Sequence, residues 1–424
     1  MHLVVVTTEL AAANHASGGL ASFTANIARI FKRKGHKVTI ILVTTKREEI
    51  LFDKEIELHN IYVEKRLWEE FDDVAAVISS VLEYDRDEIR KFMVNIYKGK
   101  LVQNKVREIQ EVEKIDLIHV CHLNSLGLAL DGDVPYVIRL SSYMNMWDGA
   151  ELPEAKIAYG EKALSLMDRL DVYTLRKARY VVSPSNLLAE IGKQYIGIRP
   201  VVIESPFVLD RSSWDHRIYD SMINGKKYIL HYGRMSYTKG THIVARISRR
   251  LLEKYPDRLL VLAGSSNEMK WEGEKRVRAH ELVMKLAGEY ADRVIYVGCL
   301  VREELYPLIQ HAELCLLPSR IENLSNACIE AMAMRKIVIA TKGASFEQLI
   351  DDRISGFLCE RDDPDSCMQA VEEAMSMDEE KRNQMLAMAA KRIEKMAPDV
   401  IYEKYLAFYK EVIQEWDRPK RDAI

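Results

Sequence analysis

Two doubly wound α/β domains are what the sequence predicts, on three observations. Short β-branched runs alternate with longer stretches of helical period, and that rhythm restarts near Lys227. The chain is also 424 residues long, whereas a single core stops growing at roughly 250 to 300 residues.

In the first half the strand-like runs are "LVVVTT", "KVTIILVT", "IDLIHVC", "PYVIRLSS", "ARYVVSPS" and "PVVIES". Helical patterns lie between them, for example Leu20 to Lys34, Lys100 to Lys114 and Lys156 to Lys177. The second half repeats the scheme with "YILHYGR", "RLLVLAGS", "RVIYVG", "LCLLPS", "KIVIAT" and "GFLCE". Strands separated by helices pair in parallel and are covered on both faces. Periodicity lapses from Ser205 to Lys227, where Pro, Asp and Gly collect, and the seam is expected there. The expected division is residues 1–206, residues 207–398, and a C-terminal helix in 399–424. The amphipathic stretch Ile401 to Trp416 of that helix needs a partner surface, and the first domain is expected to supply it.

Composition excludes several classes. Hydrophobic residues make up 48%, charged residues 29%, and the formal net charge is -3, so the chain lacks the basic excess that duplex nucleic acid demands. No apolar run reaches the roughly 18 residues of a membrane span, and the opening "HLVVVTTEL" reads as a strand rather than a signal peptide. Basic clusters such as "KRKGHK" are matched by acids, which leaves peripheral contact with a membrane face as the most that charge allows. The six cysteines, Cys121, Cys299, Cys315, Cys328, Cys359 and Cys367, show no C-x-x-C pair. They read as reduced core thiols of a cytoplasmic protein.

Open parallel sheets bind ligands beyond the carboxyl ends of their strands. Candidate residues therefore follow the apolar runs. Gly18 and Gly19 precede a helix, where free amides suit an anion or merely make a tight turn. Arg234 and Lys239, between Gly233 and Gly240, suit phosphate oxygens as a bidentate fork and a mobile point charge, or else form an ordinary solvated loop. Their spacing is not that of a P-loop. In "SRIENLSNACIEAMAM", Glu322 stands in a loop, Ser325 or Asn326 suits an N-cap, and Glu330 lies a little over one turn into the helix. Carboxylates flanking an anion site suit sugar hydroxyls rather than the phosphate itself. The tripeptide Asp131-Gly132-Asp133 precedes a strand and reads as a turn, not a metal site.

"GRMSYTKG" resembles the glycine-arginine and lysine-glycine element, and "ENLSNACIE" the E-x7-E element, of retaining nucleotide-sugar glycosyltransferases of family 4, the glycosyl transferases group 1. The resemblance covers nearly the whole chain. It implies the GT-B fold, two Rossmann-like domains facing across a cleft. It also implies that Arg234 and Lys239 hold a donor diphosphate, Glu330 the ribose and Glu322 the transferred sugar, with Gly19, Gly233, Gly264, Leu324, Ser325 and Asn326 completing the donor site. No metal and no cofactor beyond the nucleotide sugar are implied, UDP-sugars coming first and GDP-mannose second. The acceptor is expected to be a sugar or lipid-linked acceptor with a hydroxyl group, in glycan, polysaccharide or glycolipid synthesis.

One departure concerns the crevice histidine. Where the family has a D-x-x-H-x-H pattern, "DLIHVCH" places Cys121 at the second position and His122 next to it. His122 is taken as the active-site histidine and His119 as a core residue, with Cys121 occupying the family position. In "SSYMNMWDG", Ser142, Tyr143 and Trp147 suit an acceptor pocket, or equally a core or seam role. A nucleotide-sugar epimerase of the same fold and a non-catalytic scaffold are the competing readings.

Overall fold

The computed structural model describes residues 1–11, 18–47, 50–143, 147, 164–271 and 274–416. It divides into two compact units. The first comprises Met1–Asn145, Tyr159–Pro206 and Pro398–Ile424, and the second is centred on Phe207–Ala397.

A parallel sheet covered on both faces has no wet side, so its strands are near-continuous Val, Ile and Leu. In the first unit these are β1 (His2–Thr7), β2 (Lys37–Thr44), β3 (Glu57–Tyr62), β4 (Leu117–Cys121), β5 (Tyr136–Arg139), β6 (Val181–Ser183) and β7 (Val201–Val202). They lie in the order β3-β2-β1-β4-β5-β6-β7, with every pairing parallel. The second unit holds β8 (Lys227–Tyr232), β9 (Arg258–Ala263), β10 (Glu268–Trp271), β11 (Glu274–Arg278), β12 (Val294–Tyr296), β13 (Leu314–Leu317), β14 (Ile337–Thr341) and β15 (Phe357–Cys359). Its parallel sheet runs β12-β9-β8-β13-β14-β15, while β10 and β11 form a separate antiparallel pair. Strand order reverses between β1 and β4 in one sheet and between β8 and β13 in the other. Each reversal opens a crevice at the carboxyl ends of the strands.

The sequence expectation contains neither β3 nor the β10-β11 pair, for a physical reason. β3 is an edge strand with Ile61 as its one buried residue, and charged residues dominate β10 and β11. Neither carries an apolar run to recognise. The helix expected from Lys100 starts earlier, at Arg86, capped by Asp85, and runs through Gly99 to Val112. Of the one expected over Lys156 to Lys177, residues 156–163 lie outside the described residues. Leu166–Lys177 is helical and is opened by a capping box between Ser165 and Asp168. Five cysteines are buried, but Cys299 is exposed in the loop after β12, which corrects the expectation of core thiols throughout.

The helix Pro398–Glu415 belongs to the first unit. Its Ile401, Tyr402, Tyr405, Phe408, Tyr409 and Val412 join Phe23, Ile27 and Phe31 in that unit's core. Polar ties fix its register: Lys34 pairs with Asp399 at 2.7 Å, Tyr402 Oη meets His36 at 2.9 Å, and Trp416 Nε1 donates to the Gly132 carbonyl at 2.7 Å. The Tyr409 hydroxyl lies 2.7 Å from Nδ1 of His119, a residue 1% exposed. Truncating Tyr409 to Ala is expected to cost about 3 to 5 kcal/mol of stability. Tyr409→Phe, which leaves the buried His119 nitrogen unpaired, is expected to cost about 1 to 3 kcal/mol. Urea denaturation of the two variants beside the parent checks both values.

Candidate active site

The crevice between β8 and β13 is built by loops that touch backbone to backbone. Gly240, at φ 71°, ends the β8 loop, and a Cβ there would lie 1.8 Å from the Pro318 carbonyl oxygen of the β13 loop. Gly264, at φ 131°, is constrained in the same way, since a Cβ there would lie 1.9 Å from the Gly233 carbonyl oxygen. Only glycine fits either place. The β8 loop also extends the sheet by one step, Met235 N–H donating to Ser265 O at 2.7 Å and Asn267 N–H to Met235 O at 2.9 Å.

These constraints bring Lys239 and Glu322 together. Lys239 Nζ lies 2.5 Å from Glu322 Oε1, and the Ser319 hydroxyl donates to the same oxygen at 2.8 Å. Glu322 is 8% exposed and its backbone N–H donates to Ala344 O, so the loop holding it is pinned from two sides. Arg234 is different. It is exposed, and among the described residues its side chain makes no hydrogen bond or ion pair, leaving the guanidinium fork open to a ligand.

Ser325 is the N-cap of the helix Asn326–Ala333, its hydroxyl accepting from Cys328 N–H at 3.4 Å. Leu324 is half-buried just ahead of it. Glu330 lies within this helix and is 7% exposed. Burial pushes its carboxyl up to about 7, against the pull of Arg302 at 3.9 Å and of the Tyr306 hydroxyl, which donates at 3.3 Å. Arg302 and Tyr306 carry no motif around them, and sequence reading missed both.

In the first unit the reversal between β1 and β4 gathers a second set. Gly18 is the N-cap and Gly19 the first residue of the helix Gly19–Arg33; residues 12–17 lie outside the described residues. β4 ends at Cys121, so the strand alternation no longer governs His122. The ring of His122 lies over the end of β5, Nδ1 standing 3.1 Å from Ser141 N and 3.2 Å from Arg139 O, with the Ser142 hydroxyl 3.4 Å from Nε2. Burial pushes His122 down to about 4, so the imidazole is neutral at pH 7. His119 sits deeper among Phe23, Tyr405 and Tyr409, and its Nε2 has no hydrogen-bond partner among the described residues. It is a core histidine satisfied on one nitrogen.

Ser142 and Tyr143 line a small recess with His122, Asp168 and Asp171. Trp147 is half-buried and groups with the second unit rather than with Ser142 and Tyr143, and its neighbours on both sides lie outside the described residues. Asp171, another residue without a sequence signal, accepts from the Ser125 hydroxyl, and burial pushes its carboxyl up to about 6. Asn124 and Ser125 beside it both take left-handed backbone, φ 57° and 52°. Such strain concentrates at functional sites. Asp131 makes the expected turn, its carboxylate accepting from Asp133 N–H and from Gln103 and Arg107.

Two families match the two halves of the chain: Glycosyltransferase Family 4 over residues 17–211 and Glycosyl transferases group 1 over residues 218–392. Among curated proteins, the glycosyltransferase YtcC of Bacillus subtilis is 29% identical over 41% of this chain and 42% of its own length. The D-inositol 3-phosphate glycosyltransferase of Corynebacterium urealyticum is 28% identical over 38% of this chain and 37% of its own. The match thus spans about two fifths of each relative. The fold as a whole is like that of sucrose-phosphate synthase from Thermosynechococcus elongatus, with a TM-score of 0.71 at 16% identity, covering 98% of this chain and 100% of the other. The first half of the chain therefore belongs to Glycosyltransferase Family 4 and the second half to Glycosyl transferases group 1, on the GT-B fold.

Proposed function

We propose that this enzyme moves a sugar from a nucleoside diphosphate sugar to a hydroxyl acceptor with retention of configuration, UDP-sugars coming first among donors and GDP-mannose second. The observation that carries the reading is the Lys239–Glu322 ion pair at the β8-β13 reversal, with Arg234 on the same loop as Lys239 and Glu330 in the helix that follows Glu322. The open Arg234 fork suits the diphosphate, and Lys239 meets the charge that grows on it as the glycosidic bond breaks. Glu330 accepts from the ribose hydroxyls, while Glu322 holds hydroxyls of the transferred sugar. Positive charge comes from these side chains and the amides at Ser325 and Asn326, without a metal or other cofactor. His122, neutral and held by the β5 backbone, is proposed for the acceptor together with Ser142 and Tyr143, and Trp147 is proposed for the acceptor as well. The relative named for D-inositol 3-phosphate supports a hydroxyl-bearing acceptor. The setting proposed is cytoplasmic; no described helix is long and apolar enough to cross a membrane. Donor conversion without an acceptor would favour an epimerase instead, and product analysis separates the two.

Glu322 already occupies Lys239, so a diphosphate has to compete for the ammonium. Calorimetric titration with UDP and with GDP is expected to show binding of at least one, and Glu322→Gln is expected to bind it several-fold more tightly while losing turnover. Binding of neither by the parent would overturn the donor assignment.

Lys239→Ala is expected to lower kcat by about 10² to 10³, as loss of one preorganised donor does, with a melting temperature close to the parent's. Arg234→Lys should also lose activity, because an ammonium cannot reproduce the fork. Near-normal kcat with a lowered melting point would make Lys239 structural.

Glu330 adds a pH dependence. The folded state holds its proton more tightly than the unfolded chain, whose ordinary value is 4.5. Its contribution to stability is therefore present below pH 4.5 and lost as pH rises to about 7. Ribose hydroxyls donate to the ionised form, so donor affinity is expected to rise by about tenfold from pH 6 to pH 8, following the ionised fraction. Glu330→Gln should bind more weakly and lose that slope, as titrations at the two pH values will show.

A further inference from the structure

Lys239 and Glu322 belong to different loops, and a charged cluster two residues behind each of them joins those loops. Tyr237 precedes Lys239 by two positions; Arg320 precedes Glu322 by two. The Arg320 guanidinium lies over the Tyr237 ring, 5.2 Å from its centroid, and the Arg320 backbone N–H donates to Thr238 O at 2.8 Å. Tyr237 also stacks on His242, the centroids 3.8 Å apart and the planes 5° from parallel. His242, in the first turn of the helix Thr241–Lys254, is 2% exposed, and Arg320 is 3% exposed.

One residue closes this cluster from outside both loops. Asp362, between β15 and the helix Pro364–Ser376, places Oδ2 2.9 Å from Arg320 Nε and Oδ1 3.0 Å from His242 Nε2. The geometry points to Asp362 as a positioning residue for sugar transfer, one that sets the separation of Lys239 and Glu322 by holding Arg320 and His242 in place against Tyr237. The inference rests on the nucleotide-sugar reading of Lys239 and Glu322 and extends it to a third loop.

Three physical points support it. Asp362 adopts φ 59°, a left-handed conformation that costs energy outside glycine and is sustained only where surroundings demand it. Burial opposes ionisation of its carboxyl, yet the hydrogen bond to His242 and the charge of Arg320 hold it below the ordinary carboxylate range. That carboxylate stands 2.9 Å from a cation 3% exposed, and one-sided removal of a buried partner is the costly case. Neither Asp362 nor His242 touches the crevice residues Arg234, Glu322 or Glu330 in any hydrogen bond or ion pair given by the structure. Their effect has to pass through Tyr237 and Arg320.

The test is steady-state kinetics on the full chain with a nucleotide sugar that the parent turns over. Asp362→Asn is the informative variant, since Asn tolerates the left-handed backbone and keeps the volume while removing the charge. It is expected to lower kcat at least tenfold, with donor KM changed less than threefold and a melting temperature somewhat below the parent's, as loss of one side of a buried pair entails. A double-mutant cycle separates positioning from general stability. Once Lys239→Ala has removed the group being positioned, Asp362→Asn should cost less than threefold more. Should Asp362→Asn melt far below the parent, His242→Gln takes its place, because its amide still donates to Asp362 while the stack on Tyr237 is lost. Unchanged kcat in a folded Asp362→Asn enzyme, or fully additive losses in either cycle, would overturn the inference and leave the donor reading standing. A parent with no turnover on any nucleotide sugar would overturn the donor reading, and this inference with it.

Discussion

The second unit is organised around a place where two backbones come too close for any side chain. With Gly240 at φ 71° and the Pro318 carbonyl 1.8 Å from where a Cβ would stand, the loop after β8 lies directly on the loop after β13. That approach lets Arg320 N–H reach Thr238 O and Lys239 reach Glu322. The ion pair is partly buried, with side-chain exposures of 27% and 10%. A pair at such depth contributes little net stability, because desolvation offsets most of the attraction.

The first unit solves a related problem with a buried cation. Arg139, at the end of β5, is 3% exposed; its guanidinium lies 3.9 Å from the centre of the Phe23 ring and donates to the Ser141 and Ser205 hydroxyls at 2.7 and 2.9 Å. The same strand end carries the carbonyl and amide that hold His122. Fixing Arg139 therefore fixes the histidine ring. Around it the core is completed by the chain's last helix, whose Tyr405 and Tyr409 pack against Phe23 and His119. A segment remote in sequence thus stabilises the strand ends that hold His122.

Burial also sets the charge states of the site in opposite directions. Desolvation disfavours whichever form is charged, so it pushes Glu330 up to about 7 and Asp171 up to about 6 while pushing His122 down to about 4. Near neutrality the histidine carries no charge and the two acids stand close to their titration points. Ligand hydroxyls donating to such carboxylates favour the ionised form, which couples occupancy of the site to proton release.

Sequence by itself determined the parallel sheets and most of their strands, because doubly covered strands must be apolar runs. It also marked Gly233, Arg234, Lys239, Glu322 and Glu330, since glycines and charges stand out directly after such runs. Where a segment buries little, as β3 and the β10-β11 pair do, pattern carried no signal and only tertiary contact defined the strand. Tertiary structure alone decided that Lys239 is held by Glu322 while Arg234 is open, and that Cys299 is exposed. It alone recruited Asp171, Arg302, Tyr306 and Asp362, whose partners stand between 24 residues away, as Glu330 does from Tyr306, and 120 away, as His242 does from Asp362. No periodicity points to such partners. The reason is physical: periodicity records which face of an element is buried, whereas the partners of a buried charge are chosen by packing between elements far apart in the chain.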